Sequence, residues 1–270
     1  MRSSNLWVGT FGLALAASIV ACGGSNSSKS AEPSATPAAP AAPAGQKVDT
    51  ATAGDVKGIV MLDGTAPKNE PIKMNADPVC VKANTTAQFQ ETYMVTDRHL
   101  ANVFVYVKDG LGNYIYDTPT EPVKLNQLGC LYRPHVFGAR VGQPVEIANS
   151  DSTLHNINAL PKGNEEFNTG QPIQGMKTTH TFTAKEVMVP FKCDVHGWMN
   201  AYVAVLDHPY FATTDKDGKF ELKSLPPGTY TIEAWHEKLG TMTQSVTLGQ
   251  KESKEVNFTF KAPAGAAATD

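Results

Sequence analysis

Short runs in which every second residue is apolar recur along this chain between residues 52 and 261. Val103, Val105 and Val107 alternate with Phe104 and Tyr106, and Val145 and Ile147 keep the same spacing. So do Val187, Val189 and Phe191, and Tyr202, Ala204 and Leu206 oppose Val203 and Val205. Phe220 and Leu222, Tyr230 and Ile232, then Val256, Phe258 and Phe260 complete the series. Period-two alternation in short runs is the signature of half-buried strands. Turn-forming residues separate the runs at Lys108-Asp109-Gly110, at Asp215-Lys216-Asp217-Gly218 and at Pro226-Pro227-Gly228. Many short strands with such turns predict an all-β protein built of β-sandwiches, with almost no helix.

The ends of the chain lack this pattern. Arg2 precedes an apolar run from Leu6 to Val20, followed by Ala21 and Cys22. A positive start, an apolar core too short for a comfortable membrane span and a small residue before the cut describe a secretory signal. Ile19-Val20-Ala21-Cys22 resembles the lipobox of bacterial lipoproteins. That resemblance implies a signal peptide over 1–21, cleavage before Cys22 and lipidation of its sulfur; the alternative is a plain signal peptide. Several acyl chains would hold the protein firmly at a bilayer, at about 0.8 kcal/mol per buried methylene. Gly23 stands where an inner-membrane retention signal often has Asp, so in a Gram-negative host the periplasmic face of the outer membrane is expected. Ser25 to Gln46 is Ser, Pro and Ala with almost no large apolar residue, which predicts a disordered tether over 22–51. Residues 262–270 read as a similar tail.

A length of 270 residues, 41% of them hydrophobic, allows one large or two modest domains. The formal charge of −3 and the lack of a basic run exclude a nucleic-acid footprint and otherwise say little of partners. The four cysteines sort by context. Cys22 goes to lipid and Cys193 lies in the motif below. Cys80 and Cys130 remain, and in an oxidising compartment two spare thiols usually pair. The alternative is two free buried thiols.

The strongest chemical signal is Phe191-Lys192-Cys193-Asp194-Val195-His196-Gly197-Trp198-Met199. A thiolate, an imidazole and a thioether fall within one short loop, and His155 lies about forty residues earlier, followed by Asn156. Two His, one Cys and a weak axial Met are the ligand set of blue-copper sites, where soft sulfur suits Cu(I) and imidazole also suits Cu(II). A strand ending at Cys193 would present it on the face of Val189 and Phe191. A tight loop with Gly197 would turn His196 and Met199 back, and the Asn156 amide could reach across to the loop bearing Cys193. Such outer bonds fix ligands.

Cys-x-x-His-x-x-Met after an earlier His-Asn resembles the cupredoxins, and amicyanin among them for its short loop. The resemblance covers about ninety residues, read as a Greek-key β-sandwich over 119–208. It departs where Gly197-Trp198 replaces the Pro-Phe of amicyanin. It implies one type 1 copper, single-electron transfer without catalysis, and an electron port at His196 with Trp198 in an apolar docking patch. Rival centres fail on ligands. A dinuclear copper site needs a second bridging Cys, a multicopper oxidase needs more His pairs, and structural zinc does not need Met.

Thr214 to Leu222, then Leu225-Pro226-Pro227-Gly228-Thr229-Tyr230, resemble the carboxypeptidase regulatory-like family, a small, usually non-catalytic transthyretin-like sandwich. Asp55 to Val60, with Gly64 and Pro67, resemble its first strand and turn. A discontinuous second sandwich over 52–118 and 209–261 is therefore expected, with the copper domain inserted; a tandem arrangement is the alternative. His135 lacks a neighbouring Asn and stands too far upstream for a ligand. With His99, His180, His208 and His236 it is expected on the surface or in packing, and Met188 in the core. The functional expectation is a membrane-tethered electron carrier between redox protein partners. The alternative is a copper-handling or scaffold lipoprotein.

Overall fold

The computed structural model describes residues 45–264. The expected signal peptide, Cys22, most of the tether and residues 265–270 lie outside the described residues. Among the described residues are nineteen strands and one short helix, Pro78–Ala83, so the fold is nearly all β.

Two sheets share one core. The first orders Phe167–Gln171, His155–Ala159, Glu186–Lys192, Asn200–Leu206 and Val136–Arg140. The second orders Lys177–Thr181, Pro144–Asn149, Val123–Gln127 and Tyr132–Arg133. Leu125, Ile147, Ile157, Phe182, Val189 and Phe191 fill the space between them. Val136–Arg140 runs parallel to Asn200–Leu206, and Val123–Gln127 parallel to Pro144–Asn149. Parallel neighbours cannot be joined by a hairpin, so the chain crosses between the sheets of this sandwich.

The other two sheets draw strands from 54–109 and 211–261. One is built around Gly54–Asp63; the other orders Phe211–Thr213, Phe104–Asp109, Gly228–His236 and Gly240–Leu248. Val56, Leu62, Leu100, Ile232 and Phe258 are fully buried between them. A third apolar cluster, including Phe104, Val136, Met188, Leu206, Phe211 and Trp235, joins the two sandwiches. Gly138 is required there: a Cβ on it would stand 2.3 Å from the Phe211 ring.

The structure differs from the sequence expectation in four places. Residues 45–51, assigned to a disordered tether, lie against the fold. The Gln46 N–H donates to Asn113 O, Ile115 N–H donates back to Gln46 O, and Lys47 pairs with Asp117. Backbone pairing holds them without a hydrophobic core. Ala262, assigned to the tail, still donates its N–H to Asp63 O. Met74 and Cys80, assigned to the discontinuous sandwich, pack in the core of the first sandwich. The reason is a disulfide between Cys80 and Cys130, which straps the segment around residue 80 over one end of that sandwich. Finally, the alternation through Val187 breaks. Met188 takes φ 62°, the register to Asn200–Leu206 shifts between Glu186 and Val189, and Met188 is buried while Val187 is only partly so. This bulge turns Met188 toward the cluster between sandwiches and leaves Val189, Phe191 and Cys193 on the inner face.

Candidate metal centre

Two segments meet at the end of the first sandwich beneath the strap. Asn149 is fully buried and shapes the first: its Nδ2 donates to Thr153 O and its Oδ1 accepts from the Asp151 N–H. That turn delivers His155, fully buried, to the start of its strand. The second segment is the loop after Glu186–Lys192. Cys193 N–H donates to Met199 O, Met199 N–H to His196 O, and His196 N–H to Cys193 Sγ at 3.3 Å. These two backbone bonds and the bond to sulfur close the loop. Gly197 has no positive φ and open space where a Cβ would go, so the expected reliance of the turn on this glycine is corrected.

The Nδ1 atoms of His155 and His196 stand 3.0 Å apart. One ligand atom each from His155, Cys193 and His196 falls within 4.8 Å of the others, and all three residues are buried. Met199 is 1% exposed and packs in the same core cluster as Cys193. Asn156 ties the two segments. Its Oδ1 accepts from Asp194 N–H at 2.7 Å and from Cys193 Sγ at 3.3 Å, while its Nδ2 donates to Asp194 Oδ2 and Asn168 Oδ1.

Electrostatics favour anionic sulfur. Burial alone would raise the Cys193 pKa, but hydrogen bonding to His155 and to nearby amides brings it below its ordinary value. Burial alone would lower His155; its bonds to Asp151 and Cys193 instead push it up to about 9. His196 falls below its usual value, mainly through burial. The bonding to His155 therefore favours proton loss at Cys193 and proton gain at His155, and the two facing Nδ1 atoms stand close enough to share one proton. A soft cation would displace that proton.

The expected port differs. His196 is 3% exposed, and its Nε2 meets Asp77 Oδ2 at 3.0 Å and Cys80 Sγ at 3.6 Å. The strap covers the imidazole edge that the sequence placed at a surface. Trp198 is half-buried, 5.0 Å from the His196 ring by centroid, and its Nε1 donates to Cys130 O. The site residues that sequence reasoning missed are Asp77 and Asp151, whose Oδ2 lies 2.9 Å from His155 Nε2. Asp151 precedes His155 by four residues and left that weak local signal; Asp77 left none. Of the other histidines, His135, His208 and His236 are buried in packing, His135 against Glu237.

The model of the carboxypeptidase regulatory-like domain matches residues 197–261. No curated protein matches the chain in sequence. Among solved structures, a Cu-containing nitrite reductase from Thermus scotoductus is similar at 24% identity and TM-score 0.31. That match covers 33% of this chain and 23% of the reductase, well under half its length. A purple cupredoxin from Nitrosopumilus maritimus is similar at 22% identity and TM-score 0.28, covering 31% of this chain and 98% of that one. A reduced Cu(I) form of an amicyanin mutant is similar at 19% identity and TM-score 0.29, covering 33% and 86%.

Proposed function

We propose that this chain is a type 1 copper protein that passes single electrons between partner proteins outside the cytoplasm, tethered to a membrane through Cys22. One observation carries the copper reading: one ligand atom each from the buried Cys193, His155 and His196 falls within 4.8 Å of the others, with the two imidazole Nδ1 atoms 3.0 Å apart. The donors fit the metal, since thiolate suits Cu(I) and imidazole suits both oxidation states. When bound, copper would supply a reversible one-electron couple. The protein's part is to hold Cys193, His155 and His196 fixed by the bonds to Asn156 and by the closed loop, so that little moves when the charge changes. Burial of all three favours retention over delivery, and so an electron carrier over a copper-handling lipoprotein.

Optical and EPR spectra of copper-loaded protein test this. An intense thiolate-to-copper band and narrow copper hyperfine splitting are expected, and Cys193→Ser removes both. A colourless protein after stoichiometric loading overturns the reading, as does ready loss of Cu(I) to a competing thiol. For the tether, Cys22→Ala is expected to release the protein from the membrane fraction or to block its processing.

A further inference from the structure

Each imidazole of the candidate centre has a carboxylate behind it. His155 Nε2 lies 2.9 Å from Asp151 Oδ2, and His196 Nε2 lies 3.0 Å from Asp77 Oδ2. The carboxylates are themselves shielded, at 5% and 16% side-chain exposure. Neither is free to swing away. Asp151 also accepts from the N–H groups of Gly129 and Cys130, both at 2.8 Å. Asp77 accepts from Val79 N–H at 2.8 Å, capping the helix Pro78–Ala83, and from Thr153 Oγ1 at 2.7 Å. The disulfide joins Cys130, whose amide holds one carboxylate, to Cys80, three residues beyond the other. The two arms form one fastened unit.

We propose that Asp77 and Asp151 are paired positioning residues that fix both histidines as Nδ1 donors and lower the reduction potential of the centre. The inference rests on the copper reading above. Its physical basis is tautomer and charge. A carboxylate accepting from Nε2–H keeps the proton on that nitrogen and leaves the Nδ1 lone pair facing the metal. It also makes the imidazole a stronger donor. Two shielded negative charges behind the ligands favour the more positive oxidation state, because screening by water is weak there. Asp77 arrives on the strap, so the segment that covers His196 also tunes it.

The experiment measures the reduction potentials of copper-loaded full-length protein and of Asp77→Asn and Asp151→Asn. Asn keeps the size of each side chain and removes its charge. Each variant is expected to remain blue and to shift its Cu(II):Cu(I) affinity ratio about tenfold toward Cu(I), which for one electron is about 59 mV upward. Blue, folded variants at the wild-type potential overturn the inference and leave the copper reading intact. A wild-type protein without the thiolate-to-copper band overturns both. If a variant fails to fold, ¹⁵N NMR of the wild-type Cu(I) form decides. Low-field, slowly exchanging Nε2 protons on both histidines support the proposal. An Nε2 proton that exchanges as fast as that of an exposed imidazole overturns it.

Discussion

Asn156 makes four hydrogen bonds across two segments with one side chain that is 7% exposed. Losing them leaves the Asp194 amide and the Asn168 Oδ1 without their partner, while Asp194 Oδ2 keeps the amides of Asn158 and Asn168. Asn156→Ala is therefore expected to cost about 2 kcal/mol in chemical denaturation. Loosening Cys193 should also weaken copper binding by roughly 10- to 100-fold in a competition titration. Met199→Leu tests the proposed axial ligand: the fold and the visible band should persist while the potential rises, because on that reading the thioether is a donor that favours Cu(II). An unchanged or lower potential argues against Met199 as a ligand. At this scale the grouping of His155, Cys193 and His196 is legible in the sequence, since Cys and His within one loop, with His-Asn upstream, leave few chemistries. The groups behind them are legible only in part. Asn156 stands next to His155, whereas Asp77 meets His196 through a chain reversal that no local pattern announces.

Among the elements, the strap carries the largest consequence. Its helix is brief, yet its start could be read: Asp77-Pro78 supplies a capping carboxylate and a proline at the first helical position. Strand periodicity on both sides concealed it. The alternation of Val187, Val189 and Phe191 located the right strand and missed the bulge at Met188, because a positive φ at a non-glycine residue is imposed by packing from afar. The disulfide closes a separation of 50 residues. Constraining the unfolded chain over that span contributes about 4 kcal/mol. The double substitution Cys80→Ser with Cys130→Ser should lower the unfolding free energy by about that amount. It should also free the strap, seen as faster amide exchange around residue 80 while the sheets keep their protection. Peptide mapping without reduction should recover Cys80 and Cys130 as one linked pair; unchanged stability in the double variant would show that the strap is held by its other bonds.

Across the whole molecule, the two sandwiches are welded through apolar contacts, and buried histidines lie close to the weld. His208 Nδ1 accepts from Tyr210 N–H. His236 Nδ1 accepts from Lys238 and Leu239 N–H, and its Nε2–H donates to Thr92 O. Both rings are thus built in as neutral acceptors. Burial brings each pKa down to about 4, against the partial opposition of Asp207 near His208 and of Glu237 near His236. The unfolded chain takes up these protons near pH 6.5, the folded chain only near 4. Between those values the unfolded state binds more protons, so stability falls as the pH is lowered. The contribution is complete above about pH 6.5 and gone below about 4, amounting to about 3 kcal/mol at each ring. Glu237, held below its ordinary value by His135 although burial opposes this, extends the loss further into acid. Denaturation midpoints of wild type and His236→Gln, at the same copper content, should therefore differ in slope between pH 6.5 and 4. Gln offers an acceptor that does not titrate, so the variant's stability should decline less steeply across that window even if it starts lower at pH 7. Parallel curves would mean that His236 binds its proton alike in the folded and unfolded chain, and the acid sensitivity would then have to come from His208 and the carboxylates.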